Sequence, residues 1–247
     1  MIITRKAWQK YISLLRTLDD KAAEDMIRFQ KQLAERGVTG DEAARILVEY
    51  AYQVATKYGE GATAAACEMY DAVAILSKAS VPAAVPAATA TYGEAAKTVY
   101  GTIKLNPEIM PSAVGRLVKM AGIDTIMHNA IRDRAEWAWV PSGDTCAFCI
   151  TLASRGWQPA SEEQLKGGHA EHVHSNCDCT FAIRFNENTN VEGYDPQKYR
   201  DMYYDAEGST SKQRINSMRR QMYQQSKDEI NAQKRAAYKR RVEEAEG

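Results

Sequence analysis

Two ligand-rich stretches limit what this chain can fold into. Cys146 and Cys149 stand as C-x-x-C in "DTCAFCITLASRGW", and His174, Cys177 and Cys179 follow in "HSNCDC", with His169 and His172 just before them. Four of the five cysteines and three of the four histidines therefore fall within residues 146–179. C-x-x-C lets one turn of backbone offer two thiolates to a single ion, and a tetrahedral ion needs a second pair from elsewhere. A fold that satisfies this must bring the two stretches together. The start of the chain carries Arg5, Lys6, Lys10 and Arg16, which interrupt any signal-peptide core, and no uninterrupted apolar run reaches membrane-spanning length. The expectation is a soluble protein made in a reducing cytosol, where clustered cysteines bind metal or do redox work more often than they form bridges.

Five groups compete for four places: Cys146, Cys149, His174, Cys177 and Cys179. The two sulfurs of Cys177 and Cys179 would point to opposite faces of an extended segment. The first three plus Cys179 are preferred, because Cys179 leads into a strand, and Cys177 stays open as the substitute. His169 and His172 are then spare or supporting groups. The zinc expected here is structural, tying down roughly 45 residues that have little core of their own. Thioredoxin-like chemistry needs a preceding strand in a βαβ unit, and "RAEWAWVPSGDT" reads as neither. His169 and Glu171 match the H-x-E of zinc deaminases, but in those enzymes a proline-preceded C-x-x-C comes afterwards. Here the C-x-x-C comes first and follows Thr145. A zinc-dependent nucleic-acid enzyme, deaminase or nuclease-like, using His169 and Glu171 is the alternative to a structural site.

The rest of the chain reads as helix. Residues 4–36 place Trp8, Ile12, Leu15, Leu18, Ala22, Met26, Phe29 and Leu33 on one stripe. Thr39 and Glu42 have capping-box spacing for a helix over 41–57, and an alanine-rich helix follows over 63–77, with Cys67 as a small buried residue. "VPAAVPAATA" breaks the pattern as a linker or sharp corner. Helices resume over 92–104 and 111–138, the latter carrying Trp137 inward and His128 without a metal partner three or four residues on. From Val140 to Phe185 the helical period is lost, and "CTFAIRF" alternates as a strand. The fold class expected is mainly α, with long amphipathic helices plus a small zinc-stabilised α+β knuckle. Its parts are a helical region 1–80, a Pro/Ala linker 81–91, a helical region 92–139, a zinc core 140–186 and a basic helical tail 187–247.

"WAWVPSGDTCAFCITLASRG" followed by "HVHSNCDCTFAIRF" resembles the core of phage minor head proteins of the Mu F type, particularly the actinobacteriophage-like variants. The shared pattern is a tryptophan and "VP", then C-x-F-C-x-x-L-A-S-R-G, then H-x-x-C-x-C and a short strand. Cys146, Phe148, Cys149, Leu152, Ala153, Ser154, Arg155, Gly156, His174, Cys177 and Cys179 match it, over about a quarter of the chain. The resemblance implies a non-enzymatic virion component made in the host cytoplasm and placed inside the head near the portal. There it would aid head assembly or DNA delivery, with portal or major capsid protein as partner and no membrane.

Overall charge is balanced at 32 basic and 32 acidic residues, so any preference for nucleic acid is local. Residues 212–241 hold ten basic residues against Asp228 and Glu229. That tail could meet packaged DNA without sequence preference, or dock on an acidic protein face.

Overall fold

In the computed structural model residues 1–141, 145–163 and 179–246 are described. Helix α1 (Arg5–Glu35) buries Trp8, Ile12, Leu15, Ala22, Met26 and Leu33 of the expected stripe together with Tyr11, leaves Leu18 and Phe29 half-buried, and is capped by Thr4, which accepts the Ala7 N–H at 3.2 Å. Helix α2 runs unbroken from Gly40 to Ser77, where the sequence suggests two helices with a break near 58–62. The glycines there are close-approach points. A Cβ at Gly59 would stand 3.1 Å from Thr89 Cγ2, and one at Gly61 would stand 3.2 Å from Leu18 Cδ2. Packing outweighs the roughly 1 kcal/mol that a mid-helix glycine costs. Thr39 is the N-cap as expected, but its side chain makes no capping bond. Cys67 is half-buried rather than buried.

The "VPAAVPAATA" stretch is an ordered strap. Ala84 N–H donates to Asp71 Oδ1 (2.8 Å), Val85 exchanges bonds with the Asn129 side chain (2.9 and 2.8 Å), and Ala87 N–H donates to Thr125 Oγ1 (3.1 Å). Side chains replace the sheet ladder that two prolines forbid. The strap leads to α3 (Tyr92–Leu105), which starts with a full capping box between Thr91 and Glu94. A 3-10 turn at Pro107–Ile109 then leads into α4 (Met110–Arg132).

α4 ends six residues before the sequence reading places its end, and Trp137 belongs to a strand. Arg134 turns left-handed at φ 54°, and "EWAWV", rich in aromatic and β-branched groups, becomes the central strand of a small sheet. With β1 at Ile2–Ile3, this strand is β2 (Glu136–Val140), flanked antiparallel by β3 (Gln158–Pro159) and β4 (Thr180–Arg184). A strand does precede the C-x-x-C pair, against expectation, but its sheet is antiparallel and forms no βαβ unit. Phe181 packs edge-on between Trp137 and Trp139, with centroids at 4.6 and 4.8 Å. Thr180 to Ile183 are buried on both faces, not alternately. β1 pairs in parallel with β5 (Asn190–Val191).

These elements make one unit, Met1–Gly143 with Trp157–Tyr194, in which α1, α2 and α4 pack on one another. The second unit is Asp144–Gly156 with Asp195–Gly247. It contains α5 (Ala147–Ala153), α6 (Pro196–Tyr204) and α7 (Ser211–Glu246). Ala147, Ile150, Ala206 and Met218 form its core, under Tyr199, Tyr203, Ile215 and Met222. α5 lies where no helix is expected, because "AFCITLA" is almost wholly apolar and shows no polar face to betray a period. Mainly α is the right class. No described helix is long and apolar enough to cross a membrane.

One hydrogen-bonded cluster ties α2 to the end of α4. Tyr70 O–H lies 2.9 Å from the Asn129 carbonyl and 2.8 Å from Asp133 Oδ2, while Arg132 holds Asp133 through Nε and Nη2 at 2.8 and 2.7 Å. Hydrogen bonds from Arg132 hold the Asp133 carboxyl below its ordinary value, against burial and with help from Tyr70. Burial first, then Asp133, push the Tyr70 phenol well above its ordinary 10.0. Below pH 10 the phenol is protonated in folded and unfolded chain alike and its contribution is whole; above it the unfolded chain ionises first and stability falls. Tyr70→Phe should therefore lower stability by about 1–2 kcal/mol at pH 7 and flatten the loss above pH 10. Urea melts at pH 7, 9 and 10.5 measure both effects.

Candidate functional site

Cys146 is the N-cap of α5, with extended backbone (φ −74°, ψ 159°), and is half-buried; Cys149 lies in the first turn and is buried at 1% exposure. The local fold thus places the C-x-x-C thiols across the start of a helix. Cys179 is buried at 3% exposure immediately before β4. His169, Glu171, His172, His174 and Cys177 lie outside the described residues. Among the described residues no group of three or more His, Cys, Asp or Glu side chains is placed to hold a metal ion, and Cys67, Cys146, Cys149 and Cys179 form no disulfide with one another.

The donor chemistry of these positions fits zinc. Thiols with an imidazole are the ligands that structural zinc takes, and buried thiols stay out of exchange with solvent oxidants. The end of the sheet adds a further demand. Thr180 Oγ1, next to Cys179, and Trp139 Nε1 are buried with no hydrogen-bond partner among the described residues. Cys67 sits apart on α2, where burial first and then Asp71 raise its thiol pKa, so it is a poor ligand.

The sequence reading overlooked a second site. A cleft of about 590 Å³ lies between α3, α4 and the strap. Asp124 and His128, one turn apart on α4, both line it, as do Glu94 and Lys97 on α3. Burial raises the Asp124 carboxyl to about 6, with His128 holding it down and Glu94 pushing it up. The readable signal is Asp124 four residues before His128, a spacing that puts both on one face of a helix.

The basic tail divides in two. Arg214 belongs to the fold, since it donates to the carbonyls of Gly208, Tyr203 and Tyr204 and lies over the Tyr203 and Tyr204 rings at 5.3 and 5.0 Å. Lys212, Arg219, Arg220, Lys227, Lys234 and Arg235 are exposed along α7. Its apolar stripe, Ile215, Met218 and Met222, stops at the packed core, and Tyr223 to Glu229 are exposed on all sides.

Comparison with curated proteins and with solved structures gives no match. A family profile does match, over residues 2–206, and its description is VG15 protein. That span takes in both helical and sheet parts of the first unit together with α5 and α6. The chain therefore belongs to the VG15 protein family and is a phage-encoded protein.

Proposed function

We propose that this chain is a structural minor head protein of a tailed phage, placed inside the head near the portal, where it aids head assembly or DNA packaging and ejection. The observation that carries the reading is membership of a phage protein family over residues 2–206 by a chain whose C-x-F-C-x-x-L-A-S-R-G and H-x-x-C-x-C stretches follow the minor head pattern. The protein would hold one structural zinc through Cys146, Cys149, His174 and Cys179, with Cys177 as the substitute for Cys179. Zinc bound by four protein groups supplies no catalysis; it ties backbone segments whose own cores are small. The chain's own contribution is to present Cys146 and Cys149 across the start of α5 and to bury Cys179 at the foot of β4. No catalytic role is assigned to His169 or Glu171. Portal or major capsid protein is the expected partner of the helical unit. The exposed basic residues of α7 suit packaged DNA or an acidic face of that partner, without base specificity.

Particles purified from an infected host provide the test. The chain should remain with DNA-filled heads through a density gradient and crosslink to portal or major capsid protein. Its loss from the particles would sink the proposal.

A further inference from the structure

Asp124 is a carboxylate in an unusual position. It lines the cleft between α3 and α4, is half-buried, and makes no hydrogen bond or ion pair with any described residue. Burying a charge without a partner costs stability unless something arrives to pair with it. The other charged groups on the cleft do not fill that place. Glu94 accepts from Thr91 N–H and Oγ1–H, both at 2.8 Å, as part of the α3 cap. Lys97 forms no ion pair with Asp124, and Arg116 lies eight residues earlier on α4, about 12 Å along the axis. His128, one turn along α4, attracts the carboxylate but is exposed and forms no hydrogen bond or ion pair with it, and the strap contributes only Ala87, Ala88, Thr89, Ala90 and Thr91. The remaining wall is mostly apolar, with Leu105, Leu117 and Met120 beside Thr98 and Thr102, and Gly101 leaves open space where a side chain would stand. The volume of about 590 Å³ falls in the range of small-ligand sites.

We propose that this cleft binds a protonated amine or guanidinium carried on an apolar stem, with the charge against Asp124 and the stem along Leu105, Leu117 and Met120. The group can come from a lysine or arginine of a partner protein or from a free alkylamine. Neither depends on zinc or on a place in the virion, so this inference stands or falls separately from the proposed function.

The experiment is isothermal titration of the full chain at pH 7.5 with three probes: hexylamine, hexanol, and a capped alanine/leucine peptide bearing one central lysine. The amine, the peptide or both should bind, with hexanol at least tenfold weaker than hexylamine. Tighter binding of the peptide assigns the site to a partner's side chain, and tighter binding of hexylamine assigns it to a free amine. Asp124→Asn should weaken binding at least tenfold, as should a drop to pH 5, which protonates the carboxyl. Gly101→Leu should block the cleft while leaving the melting temperature equal or higher, because a Cβ there meets nothing within 4 Å. Asp124→Asn should also melt at an equal or higher temperature. No binding of either cation below the millimolar range, equal binding by Asp124→Asn, or a lower melting temperature for that variant would overturn the proposal, the last by showing that the carboxylate serves the fold.

Discussion

Gly115→Ala is expected to destabilise the first unit by about 2–4 kcal/mol, although alanine is the better helix former by roughly 1 kcal/mol. Gly115 lies on α4 where α1 crosses it, and a Cβ built there collides with Asp19 Oδ1 and sits 3.1 Å from Asp19 Cγ and 3.3 Å from its backbone oxygen. Asp19 cannot simply swing away. Its other oxygen is 2.5 Å from Lys119 Nζ, and the two side chains are only 10% and 9% exposed. Displacing one partner leaves a buried charge with reduced compensation, which typically costs about 3–5 kcal/mol and exceeds the gain in propensity. Two controls isolate the cause. Gly101→Ala on α3 meets nothing within 4 Å and should stabilise by up to about 1 kcal/mol, the same chemistry with the opposite sign. Lys119→Met alone should cost as much as Gly115→Ala, while Asp19→Leu with Lys119→Met should recover most of the loss. Denaturant melts of the four variants decide it, and a Gly115→Ala protein within about 0.5 kcal/mol of the parent would refute the argument.

Cys149→Ser is the second large effect. On the proposed zinc site it should remove the metal, taking content from about one ion per chain to near none, and with it the folding free energy that structural zinc supplies, on the order of 10 kcal/mol in isolated zinc modules. Cys146→Ser should behave in the same way. Cys67→Ser should retain the metal, since Cys67 is on α2 and far along the chain from the ligand stretches. Comparing Cys177→Ser with Cys179→Ser shows which of that pair is a ligand. Elemental analysis of protein purified without chelator, alongside thermal melts with and without a chelator, gives the readout. A parent protein free of stoichiometric metal, or a Cys149→Ser variant that holds as much as the parent, would remove the zinc from the proposed function.

The helical half of the fold was legible because its physics is local and repetitive. The α1 stripe from Trp8 to Leu33 follows from spacing alone, and the helix expected over 92–104 is α3. The errors fall where a distant neighbour decides. Gly59 and Gly61 look like a break in a helix until Thr89 and Leu18 are seen packed against them. Trp137 fits the face of α4 until Arg134 turns the chain and the partner strand Thr180–Arg184 is in place. The proline strap reads as a linker or sharp corner because nothing in residues 81–91 reveals that Asp71, Thr125 and Asn129 will satisfy its backbone.

The candidate site divides along the same line. The sequence by itself determined the stock of thiols and imidazoles, since donor chemistry and C-x-x-C spacing are properties of residue types in order. It also determined the mainly helical class, through the period of its apolar residues. Only the tertiary structure decided that Asp124 faces an open cleft with no hydrogen bond or ion pair among the described residues, and that Asp19 and Lys119 meet in a core where Gly115 makes room. The reason is that burial and pairing of a charge depend on segments far apart in the chain, and no local pattern of residues records what will pack against them.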